Sequence, residues 1–310
     1  MGAIVSASYR GRLAPSPTGG VHMGIARTSL LAWLAARAAS GTLALRIEDL
    51  DAPRVVPGSA ATIIEELRWL GLDWEDGPDV GGAHAPYVQS QRSSLYAAAI
   101  EQLRVQGLVY GCSCSRKEIA QIASAPHGDL GPQYPGTCRV RSAHPGRPEA
   151  LRFRMPVPAP SFVDRLHGLY DMGVSDDFVL RRADGVYAYQ LAVVVDDIAM
   201  RVSEVIRGDD LLSSTPRQLA LYAALGATPP AFLHVPLVLD ADGRRMSKRF
   251  GSPGVAELRA RGCSAAQVVG QLAHSLGLAE RGEALGPEAL IARYDPTKLS
   301  REPSVLTNLD

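Results

Sequence analysis

Arg12-Leu13-Ala14-Pro15-Ser16-Pro17-Thr18-Gly19-Gly20-Val21-His22-Met23-Gly24 is the stretch on which the reading of this chain turns. Pro15 and Pro17 push the residues before them into extended conformations, so Ala14 to Gly20 cannot be helical. Upstream, Tyr9 to Leu13 reads as a short strand. Downstream, from Met23 to Ser40, apolar residues recur at helical spacing, with Gly41 as the expected C-cap. Thr42-Leu43-Ala44-Leu45-Arg46-Ile47 then reads as a second strand, ending in the acidic cluster Glu48, Asp49 and Asp51. Strand, loop, helix, strand opens a doubly wound parallel sheet, so an α/β fold is expected. A glycine-bearing loop that enters a helix offers backbone N–H groups and a favourable dipole to an anion. Thr18, Gly19 and Gly20 ahead of His22 and Gly24 provide that pattern. Taken alone, His22 reads as a helix cap; beside a nucleotide it would donate to a phosphate oxygen.

Further helices are expected at 58–70 and 91–106, ended by Gly71 and Gly107. From Val109 to about Arg154 the texture changes to Gly- and Pro-rich sequence without a long amphipathic period, as in a small inserted domain. A helix near 188–195, a strand Val202 to Ile206 and a helix from Thr215 to Leu225 resume the sheet pattern. His234 to Leu239 reads as another strand, turning at Asp242-Gly243, and 254–310 reads as mostly helical. Arg245-Met246-Ser247-Lys248-Arg249 follows that turn. Lys248 there is a flexible point charge suited to a leaving pyrophosphate, although a short basic run is also ordinary on a solvated surface.

The 310 residues carry 32 basic and 32 acidic side chains, which fits a globular protein with a sizeable core. No run of 18 apolar residues suggests a membrane span, and Met1 to Gly11 lacks the pattern of a secretory signal. A cytoplasmic protein with no membrane partner is expected. Arg139, Arg141, Arg147, Arg152 and Arg154, with Arg181 and Arg182 beyond, read on charge alone as a solvated face. Of the four cysteines, Cys112, Cys114 and Cys138 cluster and Cys263 is remote. That distribution favours a metal site over disulfides in a cytosolic chain, against the alternative of three buried free thiols. Cys263 is expected in the core, on a helix.

Five segments, in order, resemble the glutamyl branch of the class I aminoacyl-tRNA synthetases. Residues 12–24 contain its His-Ile-Gly-His-type motif, and Arg245 to Arg249 resembles its Lys-Met-Ser-Lys-Ser loop, with Arg245 and Arg249 departing from the usual residues. Arg46 to Asp51, Ala188 through Asp197, and Val205 to Leu211 match as well. The resemblance implies a Rossmann-type doubly wound catalytic domain that makes an acyl-adenylate from L-glutamate and ATP with Mg2+. It implies that His22, Gly24 and Lys248 are catalytic, and that Thr18, Gly19, Met246 and Ser247 join them on ATP. Arg12, Ala14, Ser16, Glu48, Tyr189 and Arg207 would form the glutamate pocket, Glu48 taking the α-amino group. Cys112, Cys114, Tyr134 and Cys138 would hold one structural Zn2+, with His127 as a rival fourth ligand.

The implied organisation is a first catalytic half over 1–107, a zinc-containing insertion over 108–185, a second half over 186–240, and the Met-Ser-Lys loop with a helical region over 241–310. Only about sixty residues follow Lys248, fewer than an anticodon-binding domain needs. The resemblance is therefore to shortened members of the branch. These activate glutamate without tRNA and attach it to queuosine at the first anticodon position of tRNA(Asp). A monomer is expected. The alternatives are a shortened enzyme charging tRNA(Glu), a non-catalytic tRNA-binding paralogue, and a nucleotidyltransferase that uses no tRNA.

Overall fold

Neighbouring residues of a strand face opposite sides of its sheet, so apolar residues on both parities call for cover on both faces. The computed structural model, which describes residues 8–115, 117–119, 133–173, 175–239 and 254–305, shows that cover. Its strands are β1 (Arg10–Leu13), β2 (Thr42–Leu45), β3 (Val109–Cys112), β4 (Ala150–Phe153), β5 (Phe162–Asp164), β6 (Gly168–Tyr170), β7 (Phe178–Arg181), β8 (Glu204–Gly208), β9 (Ala231–Val235), β10 (Val238–Leu239) and β11 (Ser304–Val305). Leu43, Leu45, Ile206 and Leu233 pack into one core with α1 (Met23–Ala38), α2 (Ser59–Trp69) and the Ala265–Ser275 helix. Ala44, Val205 and Phe232 join a second core with α3 (Ser93–Val105) and the helices Tyr189–Ala199 and Thr215–Ala224.

Between the two cores run two parallel pairs of strands. β1 lies along β2, with Arg10 opposite Thr42, and β8 lies along β9, with Glu204 opposite Ala231. The pairs meet where the Arg10 N–H donates to Ser203 Oγ (2.8 Å) and the Ser203 N–H donates to the Arg10 carbonyl (2.9 Å). On the far side of β2, the Ile47 N–H donates to the Tyr87 carbonyl at 2.9 Å.

Several boundaries differ from the expectation, each for a local reason. Helix α1 stops at Ala38, and Ser40, not Gly41, takes the left-handed conformation at φ 50°. Gly41 is needed for another purpose: a Cβ there would stand 2.4 Å from the Tyr9 carbonyl oxygen. β8 begins at Glu204, two residues later than Val202, which places Arg207 inside the strand. The apolar run from Ala231 breaks at Pro236, which has no N–H for a ladder, and resumes as the two-residue β10. Residues 254–305 are not only helical, since β11 returns as a parallel partner of β10. Cys263 packs on the first core but lies in the turn between two helices.

Between α3 and the Tyr189–Ala199 helix the chain is antiparallel. β4 pairs with β3 and β7, and β5 with β6 forms a separate hairpin. Arg152, expected on a solvated face, is buried there and lies 3.7 Å over the Tyr134 ring, a cation–π contact. Among the described residues no helix is long and apolar enough to cross a membrane.

Candidate active site

Parallel α/β sheets leave a crevice beyond the C-terminal ends of their strands. Here that crevice is a cavity of ≈ 460 Å³. It brings together all six residues expected to hold the amino acid: Arg12, Ala14, Ser16, Glu48, Tyr189 and Arg207. Thr18, His22 and Gly24 line its other side. Gly19 is not part of the lining; it makes the turn, at φ 129°. Met246, Ser247 and Lys248, with Arg245 and Arg249, lie outside the described residues.

Two guanidinium groups and one carboxylate dominate the pocket. Arg12, 5% exposed, donates to the Ile206 carbonyl at 3.0 Å. Its Nε has no hydrogen-bond acceptor among the described residues, and Asp197 Oδ1 is 3.8 Å away. Arg207, for which a generic fold would suggest a surface ion pair, is 4% exposed. Burial lowers its pKa, and Arg12 adds to that effect. Glu48 accepts from Arg46 Nη2 at 2.9 Å, yet burial still raises its pKa. Both shifts mark charges with too little compensation inside the protein. A bound amino acid, with carboxylates for the arginines and an ammonium for Glu48, would supply it.

Glu48 is held by a buried cluster to which the sequence reading assigned no roles. Arg46 is fully buried, and its Nη1 donates to Asp197 Oδ1 at 2.7 Å. Burial opposes its charge, but Asp197, Glu48 and Asp196 outweigh that and raise its pKa. Asp196 in turn accepts from Arg92 Nε (2.6 Å), Gln89 Nε2 (2.8 Å) and the Tyr96 hydroxyl (2.9 Å). The cluster ties β2, α3 and the Tyr189–Ala199 helix to the base of the pocket.

The side of the cavity lined by Thr18, His22 and Gly24 is built by the start of α1. His22 is the N-cap, and its Nδ1 accepts from the Ile25 N–H at 3.2 Å. An accepting Nδ1 puts the proton of a neutral ring on Nε2, so a capping imidazole still carries an N–H donor. The two sequence readings of His22 are compatible. A Cβ at Gly24 would stand 3.1 Å from His22 Cε1, so this glycine makes room for the imidazole. Glu66, 4% exposed, accepts from the Val21 N–H, and a Cβ at Gly20 would lie 2.6 Å from its Oε1. Glu66 therefore shapes the loop from below, a role no local motif announces.

A second cavity of ≈ 800 Å³ shares Ser16, Glu48, Arg54 and Tyr189 with the first and reaches Cys114, Arg152 and Arg182. Beyond it, the sulfurs of Cys112, Cys114 and Cys138 lie within 4.8 Å of one another. The Tyr134 hydroxyl is 3.5 Å from Cys112 Sγ and accepts from the Cys138 N–H at 2.7 Å. His127 lies outside the described residues. The thiol pKa values diverge. Burial and Cys138 push Cys114 up to about 12. Burial works the same way on Cys138, but N–H donation from Ala143 and bonding from Ser113 bring it down to about 6. Three thiolates this close need a cation to stay charged together, so this donor set fits a soft divalent ion such as zinc.

Residues 8–274 match the family of class I tRNA synthetases (E and Q), catalytic domain. A glutamyl-Q tRNA(Asp) synthetase of Symbiobacterium thermophilum is 51% identical over 305 residues, covering 94% of each chain. The chain belongs to the glutamyl-Q tRNA(Asp) synthetase family. It is thus an enzyme of the aminoacyl-tRNA synthetase type, a ligase. A second member, from Nitratidesulfovibrio vulgaris, is 54% identical over 280 residues, 87% of this chain and 86% of its own. Among solved structures, a glutamate tRNA ligase from Elizabethkingia meningosepticum in complex with its amino acid superposes with a TM-score of 0.84 at 30% identity. That match covers 97% of this chain and 67% of the ligase. The fold of the glutamyl-tRNA synthetases is therefore shared along nearly the whole chain.

Proposed function

We propose that the chain activates L-glutamate with ATP and Mg2+ and transfers the glutamyl group to queuosine at the first anticodon position of tRNA(Asp). The observation that carries the first step is the cavity in which Arg12, Glu48, Tyr189 and Arg207 face the His22 and Gly24 edge of α1. Two buried guanidinium groups match the two carboxylates of glutamate, and Glu48 matches its ammonium. An α-carboxylate oxygen attacks the α-phosphorus, and the bond to pyrophosphate breaks. His22 and Lys248 stabilise the charge that builds on the phosphates, and Ser16, Thr18 and Gly19 hold the loop in place. The groups meeting glutamate come from the chain itself, which supports activation without tRNA.

In the second step a queuosine hydroxyl attacks the activated carbonyl and AMP leaves. The family name borne by relatives of nearly equal length supports this acceptor. Zinc held by Cys112, Cys114 and Cys138, with Tyr134 as fourth ligand, would staple the antiparallel insertion, whose local core is small. The test offers labelled glutamate and ATP with tRNA(Asp) bearing or lacking queuosine, and with tRNA(Glu). Label is expected only on queuosine-bearing tRNA(Asp), and pyrophosphate exchange is expected with no tRNA present. The likeness to a glutamate tRNA ligase favours one other reading. Label at the 3′ end of tRNA(Glu) would establish that reading instead.

A further inference from the structure

Arginine carries five N–H donors, and the fold engages one edge of Arg207 before any substrate arrives. Nε donates to His234 Nε2 at 2.9 Å, and Nη2 donates to Thr215 Oγ1 at 2.8 Å. Nη1 stands 3.5 Å from the Tyr189 hydroxyl. One N–H on each Nη is left, the fork that a carboxylate accepts end-on.

What sets this orientation lies behind the cavity. His234 and Asp164 are 0% and 1% exposed, and neither lines the pocket. The Arg207 guanidinium can only donate, so His234 Nε2 must be its accepting nitrogen and the ring proton must sit on Nδ1. Nδ1 stands 2.7 Å from Asp164 Oδ2, to which it donates. The same oxygen accepts the His234 backbone N–H at 3.1 Å. The other oxygen accepts from Leu166 (2.9 Å) and His167 (3.0 Å) in the turn between β5 and β6. With every bond to Asp164 coming from an N–H donor, this carboxylate has little freedom to turn.

We propose that Asp164 and His234 are positioning residues for the amino-acid pocket. Asp164 holds His234 as the Nδ1–H tautomer, and the bare Nε2 aims the outer end of Arg207 at a substrate carboxylate. The proposal rests on the glutamate reading of the cavity. It also ties the β5–β6 hairpin, part of the antiparallel insertion, to recognition at the sheet. Without Asp164 the imidazole can place an N–H against the guanidinium, and two donors would then face each other.

The test is steady-state pyrophosphate exchange by the full chain, with glutamate and ATP varied separately. His234→Leu is expected to raise the glutamate KM about tenfold or more and to leave the ATP KM within about twofold. His234→Gln, whose amide oxygen reaches the place of Nε2, is expected to recover most of that loss. Asp164→Asn, the second variant should the leucine protein not fold, is expected to raise the same KM, because its amide can donate to Nδ1. An unchanged glutamate KM in the folded variants, equal rises in both KM values, or no rescue by glutamine overturns the positioning role. Wild-type protein that exchanges pyrophosphate with another amino acid and not with glutamate overturns the reading of the pocket instead.

Discussion

Arg207 and Glu48 are charges that the fold buries without full compensation, and the same holds, in the opposite sense, for a neutral side chain beside them. Burial first, and then the facing Arg207, bring the His234 pKa down to about 4 from 6.5, against the pull of Asp164. The unfolded histidine takes up a proton near its ordinary value, while the folded one resists until the lower value. Between these two values the unfolded chain binds more protons, so stability falls as pH falls from about 6.5 towards 4. The contribution is fully present above the unfolded value. His234→Gln is expected to flatten this part of the profile, by on the order of 1–3 kcal/mol. Denaturant melts of both proteins across that pH range measure it, and parallel profiles would contradict the expectation.

At the scale of an element, the connection from α1 to β2 separates two tasks that sequence patterns usually merge in one glycine. Ser40 carries the left-handed turn at φ 50°, and Gly41 lets the chain pass Tyr9. Substitutions at these neighbours should therefore have opposite signs. Ser40→Gly is expected to stabilise by up to about 1 kcal/mol, the left-handed penalty less the extra entropy of an unfolded glycine. Gly41→Ala is expected to cost about 1–3 kcal/mol, because the 2.4 Å contact is with backbone that must move with β1. Chemical denaturation of the two variants reads both signs. The α1 N-terminus has a similar economy, since His22 both caps the helix through Nδ1 and lines the cavity.

Across the whole molecule, two cavities share Ser16, Glu48, Arg54 and Tyr189, and the larger one reaches the cysteine cluster. On the proposed function, glutamate activation would belong to the sheet and acceptor entry to its border with the insertion. Metal removal should separate these activities. A strong chelator, or Cys138→Ser, is expected to release about one zinc per chain. Transfer to tRNA is expected to fall at least about tenfold more than pyrophosphate exchange, because a structural ion stabilises the element it closes. Metal analysis with the two assays on one sample checks this, and equal losses would place the ion's influence on the sheet itself.

The order of the motifs and the parallel strands were legible in the chain alone, and the resemblance to the glutamyl branch singled out six residues that line one cavity. Prolines and glycines punctuate the chain, apolar periodicity marks the elements, and strand ends of a doubly wound sheet must converge. The cysteine spacing was legible in the same way. Asp164, His234, Thr215, Glu66 and the Arg46 cluster were not, because their partners lie far along the chain; Asp164 and His234 are 70 positions apart. Such residues carry no local pattern, since an isolated aspartate or histidine reads as surface. Only packing removes their water, and only then do their few hydrogen bonds decide which way a guanidinium faces. The sequence by itself determined which groups reach the pocket, and the tertiary structure decided how they are aimed.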